Sequence, residues 1–201
     1  MKILVACEES GRVTAAFRAK GHEAFSCDIL PTSGRHPEWH IQGDVLPLLR
    51  EKWDMIIAFP PCTYLTNAGA VRMRVKGEIV PERYAKMQGG RSFFMAIYNA
   101  DCPKIAIENP TPMKLANLPP CTQVIQPWEF GHPYSKRTCL WLKGLPPLWP
   151  TLIYGYHKPY VNGGCHTKDG KRRKCEGIAF SQRERSKTFP GIAAAMADQW
   201  G

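Results

Sequence analysis

The sequence contains no window approaching the roughly 18 consecutive apolar residues that a membrane-spanning helix requires, so no membrane partner is expected. Its opening residues, MKILVACEES, carry only a short apolar run, followed at once by Glu8 and Glu9. That is not the apolar core of a secretory leader, and it reads instead as a first strand. Without a leader, the eight cysteines imply reduced thiols in a cytoplasmic setting. A chain of 201 residues that is 44% apolar can also bury a core without disulfide staples. Repeats and low-complexity tracts are absent, and one compact domain is expected. Cys165, His166 and Cys175, with His157 nearby, lack the paired CxxC spacing of a zinc site, so no metal is expected. Acidic residues are scarce, 17 Asp and Glu against 27 Lys and Arg, and the formal charge of +10 points to a polyanionic partner.

Short apolar runs alternate with amphipathic stretches as far as about Gly144. The strands expected from them are 3–7, 23–29, 39–45, 54–59, 104–109, 122–127 and 138–143. Helices are expected over 12–20, ended by Gly21, and over 82–99, with Phe94, Ile97 and Tyr98 facing the core. This is the pattern of an α/β fold, Rossmann-like, with a mostly parallel central sheet. Beyond Gly144, proline, glycine and charge dominate until FPGIAAAMADQW (189–200), which reads as a closing helix with Pro190 in its first turn. Between Leu145 and Lys187 there are nine Lys or Arg against three acids, so 9 − 3 places +6 of the +10 there.

The tetrapeptide PPCT occurs twice. Its first copy, Pro60 to Thr63, follows the apolar run DMIIAF and stands at the carboxyl end of a strand, where ligands bind in open α/β sheets. Two prolines stiffen the backbone there and present Cys62. The second copy precedes its strand, which puts Cys121 at the opposite edge in a structural role. A presented thiol is a candidate nucleophile. The strand IAIENP ends with Glu108 at the same edge, and an alternative role for that residue is a helix cap near Pro110. A thiol beside a proton-donating carboxyl is suited to addition to a pyrimidine ring: sulfur attacks carbon 6, the acid protonates nitrogen 3, and carbon 5 becomes electron-rich.

These residues resemble the cytosine-5 DNA methyltransferase family. FPPC (59–62) is similar to its nucleophile motif, ENP (108–110) to its acid motif, and FGHPYSKRTCLWLKG (130–144) to its motif of two spaced arginines. The resemblance implies a methyltransferase fold, S-adenosylmethionine as methyl donor and cytosine in DNA as substrate, flipped from a duplex or presented single-stranded. It implies catalytic roles for Cys62, Glu108 and Arg137. The turn CEESG, with Cys7, Glu8, Ser10 and Gly11, would wrap the methionine end of the donor. Asp28 would hold the ribose and Asp44 would meet the adenine, with Ile29, Val45 and Pro60 in the same pocket. The loop 63–81, carrying Arg72, Arg74 and Lys76, would close over the substrate. Lys171, Arg172, Arg173 and Lys174 would contact DNA phosphates. The resulting layout is a catalytic part over 1–144, a short basic recognition region over 145–187 and a returning helix over 188–201.

The sequence departs from the family at three points: only Gly11 remains of the first motif's glycines, Cys139 stands in the second arginine position, and Ser135 stands where glutamine is usual. RNA or a free pyrimidine nucleotide as substrate, or a catalytically silent nucleic-acid-binding module, stay open as alternatives.

Overall fold

The computed structural model describes residues 1–70, 72–160, 163–166, 172–175 and 181–201. The chain begins β1 (Lys2–Ala6), α1 (Arg12–Ala19), β2 (Glu23–Asp28), β3 (His40–Gln42) and β4 (Met55–Ala58). It continues through α2 (Asn67–Ala70), the short strands β5 (Arg74–Val75) and β6 (Glu78–Ile79), α3 (Pro81–Tyr98) and β7 (Ile105–Pro110). Then come β8 (Gln123–Ile125), β9 (Tyr134–Ser135), β10 (Thr138–Lys143) and β11 (Lys158–Pro159). The hairpin β12 (Gly163–His166) and β13 (Arg172–Cys175) and the helices α4 (Gln182–Ser186) and α5 (Pro190–Trp200) complete it.

Seven strands form one sheet in the order β3-β2-β1-β4-β7-β10-β8. β3, β2, β1, β4 and β7 run parallel, and β10 runs antiparallel to both β7 and β8. The fold is α/β and Rossmann-like, with the last strand of the sheet inserted antiparallel beside the fifth. A parallel sheet covered on both faces needs strands that are apolar throughout. Ile3–Ala6 and Met55–Ala58 meet that need, every residue being fully buried.

Two cores lie on opposite faces of the sheet. On one, Met87, Phe94 and Ile97 of α3 pack over Leu4, Ile56 and Ile107, with Trp141 edge-on to Phe94 at 5.0 Å. On the other, α1 and α5 pack together over Ile3, Val5 and Ile57 through Val13, Phe17, Ile192 and Met196. Each of these large side chains contributes about 1.5–3 kcal/mol on burial. Gly191 lets α5 approach closely: a Cβ there would overlap the carbonyl oxygen of Phe130, and its N–H donates to His132 Nε2 at 2.9 Å.

Some expectations need correction. Tyr98 is 36% exposed. It lies in the last turn of α3, just before Asn99 ends the helix, and stacks its ring on Phe94 at 6.3 Å. The segment 63–81, expected as a loop, holds α2 and a β5–β6 hairpin turned by Lys76 (φ 51°) and Gly77 (φ 89°). Two successive positive φ values make the turn whose twist matches paired strands.

Candidate active site

The chain order reverses between β1 and β4, and in such sheets the ligand crevice lies outside the carboxyl ends of the strands on either side. A cavity of about 440 Å³ opens there. Cys7 to Ser10 after β1, Cys27 to Leu30 around the end of β2, Gly43 to Val45 after β3, and Phe59 with Pro61 after β4 line it. Phe93 of α3 and Lys187 and Thr188, just before α5, close its walls. Asp28 Oδ1 accepts from Leu30 N at 2.9 Å, and Asp44 Oδ1 accepts from Leu46 N at 3.0 Å. One carboxylate oxygen on the backbone two residues ahead fixes how each acid is turned. Burial, with Asp28 and Asp44 adding their charge, pushes the Cys7 thiol up to about 12 and that of Cys27 up to about 11, so both stay protonated.

Of the residues expected at a donor pocket, Cys7, Glu8, Ser10, Asp28, Ile29, Asp44 and Val45 line this cavity. Gly11 and Pro60 do not. Gly11 takes φ 64° as the residue that caps α1, and Pro60 is buried, leaving its neighbour Pro61 to face the space. Glu8 is only 4% exposed, and its carboxylate is committed elsewhere. It accepts from Val13 N at 2.6 Å, Thr14 N at 3.2 Å and Thr14 Oγ1 at 2.7 Å, satisfying the free N–H groups at the start of α1. Glu8 therefore holds α1 against the turn after β1.

The second cluster lies at the carboxyl ends of β4 and β7. Cys62 is partly buried, and its carbonyl accepts from Leu65 N and Thr66 N at 3.0 and 3.2 Å. Burial and the charge of Glu108 raise its thiol above the ordinary value, while Lys136 and Arg185 pull it back. Burial likewise raises the Glu108 carboxyl, opposed by Lys136. The thiol and the carboxyl thus lie within electrostatic reach of each other, with a lysine acting on both. Because Glu108 lies within β7, which continues to Pro110, the helix-cap alternative is removed. Cys121, just before β8, packs against the core on the α3 face and meets Cys139.

A small crevice of about 10 Å³ adjoins Glu108. Lys136, Thr138 and Phe189 wall it, together with Phe59 and Thr188, which also wall the larger cavity. The two spaces are therefore neighbours. Lys136 Nζ donates to the carbonyl of Arg185 at 2.9 Å, tying α4 to this wall.

Sequence reasoning missed two residues here. Lys136 was passed over for its neighbour, Arg137. Strand alternation carries the signal: Glu108 pairs with Leu140, so positions 136 and 138 share its face and 137 does not. Arg137 is exposed and donates from Nε to Thr111 Oγ1 at 3.2 Å. Asn109 is the other. It is 2% exposed and donates from Nδ2 to the carbonyl of Pro60 at 3.2 Å, latching the end of β7 to the FPPC turn. Asn109→Ala is expected to destabilise the fold by about 1–3 kcal/mol. It should also raise the proteolytic sensitivity of the 60–66 turn, measurable by thermal melts and limited proteolysis.

Arg72, Arg74 and Lys76 are exposed on or beside the β5–β6 hairpin, with Arg74 Nη1 donating to Gly77 O at 2.8 Å. Arg172, Arg173 and Lys174 lie on β13, while Lys171 lies outside the described residues. Cys165 and His166 are on β12 and Cys175 on β13. Among the described residues no group of His, Cys, Asp and Glu could hold a metal ion, and no helix is long and apolar enough to cross a membrane.

No family model matches the chain, and neither does any curated protein. Among solved structures it is similar to an E. coli protein described as a DNA modification methyltransferase encoded within a prophage. The TM-score is 0.46 and the identity 15%, over 76% of this chain and 51% of that one. It is also similar to a triple mutant of Spodoptera frugiperda DNMT2, with a TM-score of 0.35 and 16% identity, over 79% of this chain and 54% of that one. The chain spans about half the length of either. At such identities the likeness concerns the fold, and the chemistry has to be argued from the residues themselves.

Proposed function

We propose that this protein is an S-adenosylmethionine-dependent methyltransferase acting on carbon 5 of cytosine in DNA. The observation that carries this reading is that Cys62 and Glu108 stand at the same end of the adjacent parallel strands β4 and β7, with Glu108 and Lys136 lining a crevice that shares Phe59 and Thr188 with the cavity at the switch point. That cavity has the volume of a small-molecule site, with two oriented carboxylates and an apolar wall of Ile29, Leu30, Val45 and Phe93. Those features suit a nucleoside bearing ribose hydroxyls and a flat base. Asp28 and Asp44 would hold S-adenosylmethionine through its ribose and adenine, and when bound it supplies an electrophilic methyl group for carbon 5.

The protein's own groups do the rest. The thiolate of Cys62 forms a bond to carbon 6, and the ring's double-bond electrons shift toward carbon 5. Glu108, kept protonated to higher pH by burial, gives its proton to nitrogen 3 and relieves the charge that addition places on the ring. Lys136 lowers the cost of both charged forms, the thiolate before attack and the carboxylate after it. Once carbon 5 gives its proton to water, the sulfur–carbon 6 pair returns to Cys62, nitrogen 3 gives its proton back to Glu108, and the product leaves. The crevice beside Glu108 holds little more than one water, so a pyrimidine enters by displacing its walls, among them Lys136 and Phe189.

Two measurements follow. Asp28→Ala and Asp44→Ala should each weaken S-adenosylmethionine binding about 10- to 100-fold by titration calorimetry, the scale of a charge-assisted hydrogen bond. Incubation with methyl-labelled donor and, separately, duplex DNA, single-stranded DNA, RNA and nucleotides, followed by digestion and mass analysis, should place the label in 5-methylcytosine from DNA. Label on an exocyclic amine, or in RNA alone, contradicts the reading.

A further inference from the structure

The segment 145–160, LPPLWPTLIYGYHKPY, contains no acidic residue and a single lysine. It also carries the greatest concentration of exposed large apolar side chains among the described residues. Trp149 is 70% exposed, Ile153 64% and Tyr156 73%, with Leu152 at 59% and Tyr154 at 41%. Contiguous exposure of this kind marks an interaction surface more often than chance.

The backbone that carries these side chains is pinned along its length. Trp149 exchanges two hydrogen bonds with the Gln199 amide, at 2.8 and 2.9 Å, at the far end of α5. Thr151 N and Tyr154 N donate to the carbonyls of Glu129 and Trp128, and Gly131 N donates to Leu152 O. β11 pairs with β9, and the Tyr160 ring meets Phe189 at 4.6 Å, just before α5 begins. The segment is therefore a strap that travels back along α5, about 16 Å for its 11 residues. Its last residue, Tyr160, thus rests on Phe189, which walls the crevice beside Glu108. Its exposed side chains form a strip leading away from that crevice.

Charge decides the occupant. At the site end of the strip Lys158 lies on β11, and Lys136 and the exposed Arg137 directly follow its partner strand β9; the strap itself carries no acid, and the chain as a whole is +10. Flat rings beside a track of net positive charge, in which Glu184 is offset by its ion pair with Lys187, match the way unpaired nucleic acid strands are held: bases stack on aromatic faces while cations follow the backbone. We propose that the strap 145–160 is a stacking platform for unpaired bases flanking the target cytosine, so that single-stranded or locally opened DNA is the substrate. This rests on the reading of DNA as substrate given above.

The test uses the full chain and the double variant Trp149→Ala/Tyr156→Ala, both side chains being exposed and outside the catalytic cluster. Binding is measured against a single-stranded oligodeoxynucleotide, an abasic deoxyribose-phosphate oligomer of equal length, and the matching duplex. The double variant should lose about 10- to 100-fold on the single strand, the change that one or two stacked bases produce. It should bind the abasic oligomer as the wild type does, keep its salt dependence and keep its melting temperature. Trp149→Phe/Tyr156→Phe should restore binding. Undiminished binding by the alanine variant, equal wild-type affinity for base-bearing and abasic oligomers, or a wild-type preference for duplex would overturn the proposal. So would sedimentation of the wild type as a dimer that the variant dissolves, since the strip would then belong to a second copy. Binding needs no turnover: strap-dependent binding without methylated base defeats only the chemical reading, and methylation with an indifferent strap variant defeats only this one.

Discussion

Cys62→Ala is expected to abolish methyl transfer to DNA, by roughly 10⁴-fold or more, the scale seen when a covalent nucleophile is removed. S-adenosylmethionine affinity should stay within about twofold, because the residues placed at the donor cavity act independently of this thiol. The contrast is informative because Cys62 is not free of structural context: its carbonyl organises the turn through Leu65 N and Thr66 N. Alanine keeps both backbone bonds and deletes only the sulfur. Cys62→Ser should be nearly as inactive, since a hydroxyl is far harder to ionise than a thiol at the same site. Single-turnover rates with labelled donor, alongside calorimetric donor titration, measure both quantities. A Cys62→Ala protein that still methylates would remove the thiol from the reaction.

Glu108→Gln should lower the rate by about 10²–10⁴-fold and change the shape of its pH dependence. In the wild type both groups are raised, Glu108 above its ordinary 4.5 by burial and Cys62 above 9.0 by burial and by the charge of Glu108. The reactive form needs the acid protonated and the thiol ionised, the reverse of the order in which they titrate. Between the two pKa values the loss of one form offsets the gain of the other, and kcat/KM is flat. Below the pKa of Glu108 the rate falls about tenfold per pH unit, because the thiolate continues to vanish while the acid is already fully protonated. Above the pKa of Cys62 it falls equally steeply, because the protonated acid vanishes. In Glu108→Gln the amide cannot ionise, so the alkaline fall disappears and the rate climbs with pH until the thiol is ionised. That ionisation should come at lower pH than in the wild type, because the carboxylate charge that raises Cys62 is gone. A variant profile parallel to the wild type would show that Glu108 does not titrate in the reaction.

Much of this arrangement was legible in the sequence where burial is complete on both faces of an element. β10 coincides with its expected span, and β1, β4 and β7 match theirs within one residue at either end. A strand with no solvent side is written as an unbroken apolar run, and its end is where polar chemistry can begin. Cys62 and Glu108 were singled out for that reason, and Asp28 and Asp44 by the resemblance. What could not be read depends on how strands lie beside one another. Lys136 rather than Arg137 reaches the face of Glu108 because β10 enters antiparallel in a register that pairs Leu140 with Glu108. Asn109 works through a carbonyl 49 residues away. Glu8 looked like a ligand-facing acid, and nothing local distinguishes such an acid from one turned onto the N–H groups of a following helix. Tyr98 had the right helical spacing but lies where α3 runs out. The hairpin at Lys76 and Gly77 rests on two adjacent positive φ angles, one at a lysine, which side-chain type alone does not announce.

The most direct measurement is a trap. With cytosine replaced by 5-fluorocytosine in a DNA oligonucleotide, addition at carbon 6 and methylation at carbon 5 can proceed, but fluorine cannot leave as a proton does, so the sulfur–carbon bond has no route to break. Incubation with S-adenosylmethionine should yield a covalent protein–DNA species, and proteolysis with mass analysis should place the modified base on the Cys62 peptide. An absent adduct under conditions where ordinary cytosine is methylated, or an adduct on any other cysteine, would contradict the account.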